Sequence, residues 1–426
     1  LKKAVILSLA IIMIVSFFMP IYAFAQNYES DFVFEWQGKT YKYRLLDNVS
    51  QLNERQINDR AVYRSLRYKK MRADELIEDG FTSKQTLCYI FPNINVIFEQ
   101  AEKSINKKPQ NASFKVKNGE VSYVTHTDGR SLDYDTLYEA IFNGKTKIEF
   151  PVYSIKADFT LAQAKAATTL RAKFSTSFAS SGPNRSFNVA KALKAFDGLK
   201  LAKGERASFN FITGERTEKN GYKMSKIILN GEYVDGVGGG VCQVSSTLYN
   251  ALLLSGMDVI SRSRHTLVSG YVLAGFDAMV NSANADLIFE NNTGADIYIS
   301  STSSWGRATF YIYGIENPYK IERKSVEITR EPPQENIIYD TEKKYADKVF
   351  YDDESFVLTY GSDFVKAEAY LIYYKNDKEV KRKLLHSDTY STAPRVVIKG
   401  TEKRPTENED SNENATQNRN YIDELP

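Results

Sequence analysis

Histidine and cysteine are scarce in this 426-residue chain, three and two respectively, and tryptophan occurs only twice. So few soft or imidazole ligands, without the paired spacing of a metal site, leave no zinc or heme motif, and no glycine-rich phosphate loop appears either. Charge of one sign is also lacking. Lysine and arginine number 56 against 53 aspartate and glutamate, a net charge of +3. That balance gives no electrostatic footprint for nucleic acid. Internal repeats are absent, so solenoid and propeller architectures are excluded. No cofactor is implied.

The length exceeds one ordinary core and predicts several domains. The segment LKKAVILSLAIIMIVSFFMPIYAFAQ (1–26) places Lys2 and Lys3 before an apolar run and Ala23-Phe24-Ala25 before Gln26. This is the layout of a secretory signal, with an uncleaved membrane anchor as the alternative. Either way residues from 27 onward are expected outside the membrane. In an exported protein two cysteines permit a Cys88–Cys242 disulfide, but a chain of this size needs no such staple. Cys88, in TLCYIF, reads as a small packed hydrophobe.

Residues 27–156 mix charged helical stretches with an alternating segment, SFKVKNGEVSYVTH, whose Asn118-Gly119 marks a hairpin turn. DGRSLDYDTLYEAIFNGK predicts a helix capped at Asp133 or Asp135 and stopped at Gly144, and Pro151 ends or edges the strand KIEFPVYSI. Residues 157–305 hold most of the glycine and small polar residues, a helix after Pro183, and late strands around ADLIFEN and ADIYISS. Residues 306–401 read as a small, mostly β domain with a Lys375-Asn376-Asp377 turn, and 402–426 as a disordered tail. The expected fold class is therefore α+β and multidomain.

The chemistry concentrates in GVGGGVCQVSSTLYNALLLSG (236–256). A nucleophilic thiol needs its thiolate stabilised, and a helix N-terminus supplies unpaired amides and a favourable dipole. The spacing predicts a helix over Cys242–Ser255, with Val244, Leu248, Ala251 and Leu252 on one buried stripe and Gly256 terminating it. Its first turn, including the amide of Gln243, would form an oxyanion hole, and Gly239 and Gly240 would let a substrate backbone approach. Ser245 and Ser246 lie on the same turn as further substrate contacts. Of the three histidines, His265 lies 23 residues past the cysteine in the same segment, whereas His126 and His386 fall in the flanking regions. Asp277 or Asp286 could orient it, and Arg216 or Arg264 could hold an anionic substrate group. The competing structural reading is a glycine turn followed by a core cysteine.

FNFITGERTEKNGY (209–222), GGGVCQVSSTLYNALLLSGM (238–257), RHTLVSGYVLAGFDAMV (264–280) and ADLIFENNTGADIYI (285–299) together resemble the VanW family. Upstream, FKVKNGEVSYV, DGRSLDYDTLYEAI and KIEFPVYSIKADFT are similar to the peptidoglycan-binding domain that often precedes it; downstream, YYKNDKEVKRKLLHSDTYSTAPRVVIKGT is similar to a wall-associated domain named for five glycines. The resemblance implies a peptidoglycan L,D-transpeptidase acting on stem peptides, with Cys242 as nucleophile and His265 as proton shuttle; Asp277 is the candidate catalytic carboxylate beside them. The alternative it leaves open is a non-enzymatic wall-binding or assembly protein.

Overall fold

The computed structural model describes residues 31–45, 66–229 and 232–404. The expected signal or anchor and nearly all of the expected tail lie outside the described residues, and among those described no helix is long and apolar enough to cross a membrane. The architecture is α+β, and the described residues form two compact units: those up to 113 with 124–161, and 114–123 with those from 162 onward.

In the first unit, strand Phe32–Trp36 pairs antiparallel with Lys39–Tyr43 and parallel with Lys147–Glu149. Helices Leu66–Glu78, Ser83–Ile90, Ile94–Ile105 and Tyr134–Phe142 bury Leu76, Leu87, Phe98 and Ile141 in the same apolar core. Phe34 stacks on Phe150 at 5.0 Å between centroids. Asp133, not Asp135, caps the Tyr134 helix, accepting from the Thr136 amide at 3.0 Å. Pro151 ends a strand, so KIEFPVYSI becomes two short ones, Lys147–Glu149 and Val152–Ile155, in different sheets. Cys88 is half-buried beside this core, and burial raises its thiol pKa, as suits a packing residue. Both cysteines are free thiols.

The second unit is built on a four-stranded antiparallel sheet ordered Thr169–Ser177, Arg307–Gly314, Ile297–Ser304, Leu199–Leu201. Arg307–Gly314 is thus an inner strand of this sheet, although the sequence reading ended the domain at 305. Helices Pro183–Lys194 and Val241–Ser255 contribute Val189, Ala192, Val244, Leu248, Ala251 and Leu252, all with essentially no exposure, to its main core. Each buried Leu contributes about 1.5–3 kcal/mol. The two late strands do not pair with each other. Ile288–Glu290 joins Arg206–Ser208 and Asp258–Ser261, while Ile297–Ser304 enters the main sheet, because the Asn291 side chain bridges to Leu201, Ala202 and Ala295 and turns the chain between them.

Beyond residue 314, long strands Lys320–Glu331, Phe364–Lys375 and Lys378–Tyr390 form an antiparallel sheet. Asn376 and Asp377, at φ 50° and 58°, make the expected two-residue turn. This sheet is not separate from the preceding core, since Ile321, Ala369 and Leu371 bury against it.

Candidate functional site

The Val241–Ser255 helix starts at Gly240, whose φ of 103° is open only to glycine, and ends at Gly256 in the left-handed region. Its flanks are buried on every side rather than along one stripe. The polar residues on it are therefore satisfied internally. Thr247 donates to the Gln243 carbonyl at 2.6 Å, and Asn250 donates to the Ser246 and Phe276 carbonyls at 2.6 and 2.8 Å.

That burial overturns part of the expected substrate set. Ser245 and Ser246 are fully buried, and their hydroxyls engage backbone: Ser245 donates to the Cys242 and Ala278 carbonyls, Ser246 donates to the Cys242 carbonyl at 2.8 Å and accepts from the Ala278 amide at 2.9 Å. With Asn250 they fasten segment 276–278 to the helix. The Gln243 amide, expected in an oxyanion hole, donates to Gly240 O at 3.1 Å, and its side chain donates to Thr176 and Ser177. A Cβ on Gly239 would sit 2.4 Å from the Lys226 carbonyl, and one on Gly240 would sit 2.9 Å from Val189 Cγ2. The close approach these glycines permit is therefore of the protein to itself. Arg264 is exposed and donates to the neighbouring His265 carbonyl. Arg216 is partly buried, holds Asn210 Oδ1 at 2.6 Å and places positive charge near Cys242. Asp286 is engaged by Ser208 and the Asn210 amide, away from histidine.

Cys242, His265 and Asp277 come together. Asp277 Oδ2 accepts both the backbone N–H of His265 and its Nδ1, each at 2.6 Å. This leaves the other ring nitrogen for the hydrogen bond with the Cys242 thiol. The sulfur also contacts the Val280 carbonyl at 3.2 Å. Tyr271 meets the imidazole edge-on, 6.4 Å between centroids. Burial pushes the thiol up, but the hydrogen bond and charge of His265, with the charge of Arg216, bring Cys242 below the ordinary thiol value. Burial likewise lowers His265, yet its bonds to Asp277 and Cys242 prevail and raise it to about 9. Asp277, pushed up by burial, is held at about 2 by His265, the Arg262 guanidinium and Tyr390. The electrostatics lower the thiol and raise the imidazole bonded to it, with a carboxylate bracing the imidazole.

An open groove of about 600 Å³ runs past Gln243 and Tyr271, the neighbours of Cys242 and His265. Ser181, Arg185, Lys226 and Asp235 give it hydroxyls and both signs of charge. Sequence reasoning missed these residues because they come from the Pro183–Lys194 helix, the loop before it and the Met224–Leu229/Glu232–Val237 hairpin, none adjacent to Cys242 in the chain. It also missed Arg262, whose guanidinium grips Asp277 through its carbonyl at 2.6 Å and its Oδ1 at 2.8 Å. No group of three or more potential metal ligands occurs among the described residues.

Fold and site together define an α+β protein organised around a buried cysteine–histidine–aspartate constellation. Residues 184–313 match the family model "VanW like protein", and residues 94–148 match "Putative peptidoglycan binding domain". The chain is 35% identical over 222 residues to Uncharacterized protein YoaR of Bacillus subtilis (strain 168), covering 50% of this chain and 72% of that protein. It is 28% identical over 156 residues to Vancomycin B-type resistance protein VanW of Enterococcus faecalis (strain ATCC 700802 / V583), covering 35% of this chain and 57% of that one. A solved IgA1 protease G5 domain aligns with 20% of this chain at 26% identity and a TM-score of 0.13, too slight a likeness to carry an argument. The chain belongs to the VanW family and is a cell-wall-related protein with a peptidoglycan-binding domain.

Proposed function

We propose that this chain is an exported cysteine L,D-transpeptidase that forms 3-3 cross-links between peptidoglycan stem peptides. The observation that carries the reading is the Cys242–His265–Asp277 arrangement, with the thiol shifted down and the imidazole shifted up. Structural cysteines are inert and raised by burial, as Cys88 is. A thiol driven below its ordinary value against that burial is suited to attack.

In the first half-reaction the Cys242 thiolate attacks the carbonyl carbon linking residue three of a tetrapeptide stem to its terminal D-alanine. The C–N bond breaks, His265 gives its proton to the departing amine, and a thioester joins Sγ to the stem. In the second, the side-chain amine of another stem attacks the thioester carbonyl. It forms the new C–N bond, returns a proton to His265 and releases the thiolate. The energy of the broken amide is kept in the thioester, so no ATP is required. The polar groove, with Arg185 and Asp235 of opposite charge, suits a peptide carrying both amine and carboxylate groups. The positive charge of Arg216, felt at the cysteine, would favour an anionic group near the reacting carbon.

Residues 27–426 incubated with disaccharide tetrapeptide are expected to show a thioester mass adduct and a 3-3 dimer, both lost in Cys242→Ala. Identical behaviour of the two proteins, with neither product, would sink the proposal in favour of a wall-binding or assembly role. Trimmed stems in place of dimers would reassign the acceptor as water.

A further inference from the structure

The sequence HSDTY (386–390) lies at the end of the Lys378–Tyr390 strand. Residues two apart share one face of a strand, so His386, Asp388 and Tyr390 point the same way. That face is turned inward, and Asp388 and Tyr390 are buried. A face meant only for docking would be apolar, since buried polar groups cost free energy unless each is paired. Here each is paired, His386 and Tyr390 with the segment that carries Asp277 and Asp388 with the arginine that grips it. His386 Nε2 lies 2.8 Å from the Gly275 carbonyl. Asp388 accepts Arg262 at 2.7 Å, the same guanidinium that grips Asp277. The Tyr390 hydroxyl accepts from the Gly275 amide at 2.7 Å and donates to Asp277 Oδ1 at 2.6 Å.

Asp277 therefore has both oxygens filled, Oδ2 by the two His265 donors and Oδ1 by Arg262 and Tyr390. A carboxylate has about four acceptor positions. With all of them occupied it is fixed against rotation, and the imidazole it holds is fixed with it. The approach is tight at Gly275, where φ is 84° and a Cβ would lie 2.9 Å from Ala369 Cβ of the adjoining strand. Ser325 adds a bond to the Ala274 carbonyl at 2.7 Å, and the Ser391 amide one to the Thr266 carbonyl at 2.8 Å.

We propose that Tyr390 is a positioning residue of the site: the C-terminal sheet supplies the hydroxyl that completes the shell of Asp277 and, through it, sets His265 against Cys242. This rests on the cysteine-enzyme reading above. It makes the C-terminal β domain a working part of the site and not only an appendage.

The test uses the full chain and needs no peptidoglycan substrate. Tyr390→Phe keeps the ring and removes the hydroxyl. The rate of iodoacetamide labelling at Cys242 near neutral pH is expected to fall about tenfold, as for loss of one hydrogen bond to a charged group. The decisive comparison is Tyr390→Phe in an Asp277→Asn background. If Tyr390 acts through Asp277, the second substitution adds no further loss; the same factor in both backgrounds, or no change in either, overturns the proposal.

A second readout follows the three histidines by nitrogen-15 labelling. The titrating neighbours of His265 are Cys242, Asp277 and Tyr271, with Arg262, Asp388 and Tyr390 behind Asp277. In Tyr390→Phe the His265 titration is expected to move from about 9 toward the ordinary histidine value, and an unmoved titration counts against the proposal. If wild-type Cys242 proves no more reactive than a free thiol, the transpeptidase reading falls, while the His265 titration still decides the role of Tyr390. Asp388→Asn, which loosens Arg262 from the same strand, gives a smaller change in the same direction and serves where Tyr390→Phe fails to fold by circular dichroism.

Discussion

Replacing Asp277 by asparagine tests the charge logic of the site most directly. The carboxylate is 1% exposed and accepts four hydrogen bonds from His265, Arg262 and Tyr390. Asparagine keeps the shape, loses the charge and turns an amide N–H₂ toward groups that are themselves donors. Among the influences on His265, burial acts downward and the bond to Asp277 is the largest acting upward. Without that bond His265 falls from about 9 toward the ordinary 6.5 and is mostly neutral at pH 7. Cys242 then loses the imidazolium that opposed its own burial and rises to or above the ordinary thiol value. A thiol at about 8.5 is ionised to roughly 1% at pH 6.5, so labelling by iodoacetamide there should fall, by at most about 100-fold, and converge with wild type near pH 10. Arg262 retains Asp388, but one buried ion pair is broken, at a cost of about 3–5 kcal/mol in urea unfolding. Overlaid pH–labelling curves for Asp277→Asn and wild type would show that the carboxylate does not set the thiol, and the chemical argument would fail.

Two other outcomes follow from the same groups and from the helix start. His265, raised to about 9, contributes stability that is fully present below its unfolded value of about 6.5 and is lost as pH rises through about 9; Asp277, held at about 2, contributes stability present above about 3.9 and lost as pH falls through about 2. The melting-temperature gap between wild type and His265→Gln should therefore narrow on the alkaline side, together with the proposed transpeptidation, which would need the imidazolium as acid; a constant gap from pH 7 to 10 would contradict this. Gly240→Ala meets both a φ of 103° and Val189 at 2.9 Å, and should destabilise by roughly 2–4 kcal/mol and slow Cys242 labelling, whereas Gly256→Ala at the other helix end, φ 80° with its nearest contact at 3.4 Å, should cost about 1 kcal/mol and leave the thiol reactive. Equal effects of the two alanines on labelling, measured beside thermal melts, would remove the link between helix start and thiol.

Local chemistry determined a good deal of this protein. The run from Gly238 to Gly256 contains its own helix start, apolar ladder and stop, Asn118-Gly119 and Asn376-Asp377 carry their turns in positive-φ residues, and scarcity alone reduced the histidine partners of Cys242 to three. Those signals are legible because capping, turn geometry and periodicity act over a few residues. Tertiary packing decided the rest. Ser245 and Ser246 look like substrate contacts in sequence, yet burial on all sides of the helix turns them onto the backbone that carries Asp277. The groove residues Arg185, Lys226 and Asp235, and the shell formed by Arg262, Asp388 and Tyr390, are brought together from separated segments. HSDTY falls in sequence within an outlying, mostly β domain, and only the pairing that turns its polar face inward brings Tyr390 to Asp277, 113 residues away. No pattern within a strand specifies which carboxylate it will meet, because that depends on how two sheets bury against one core.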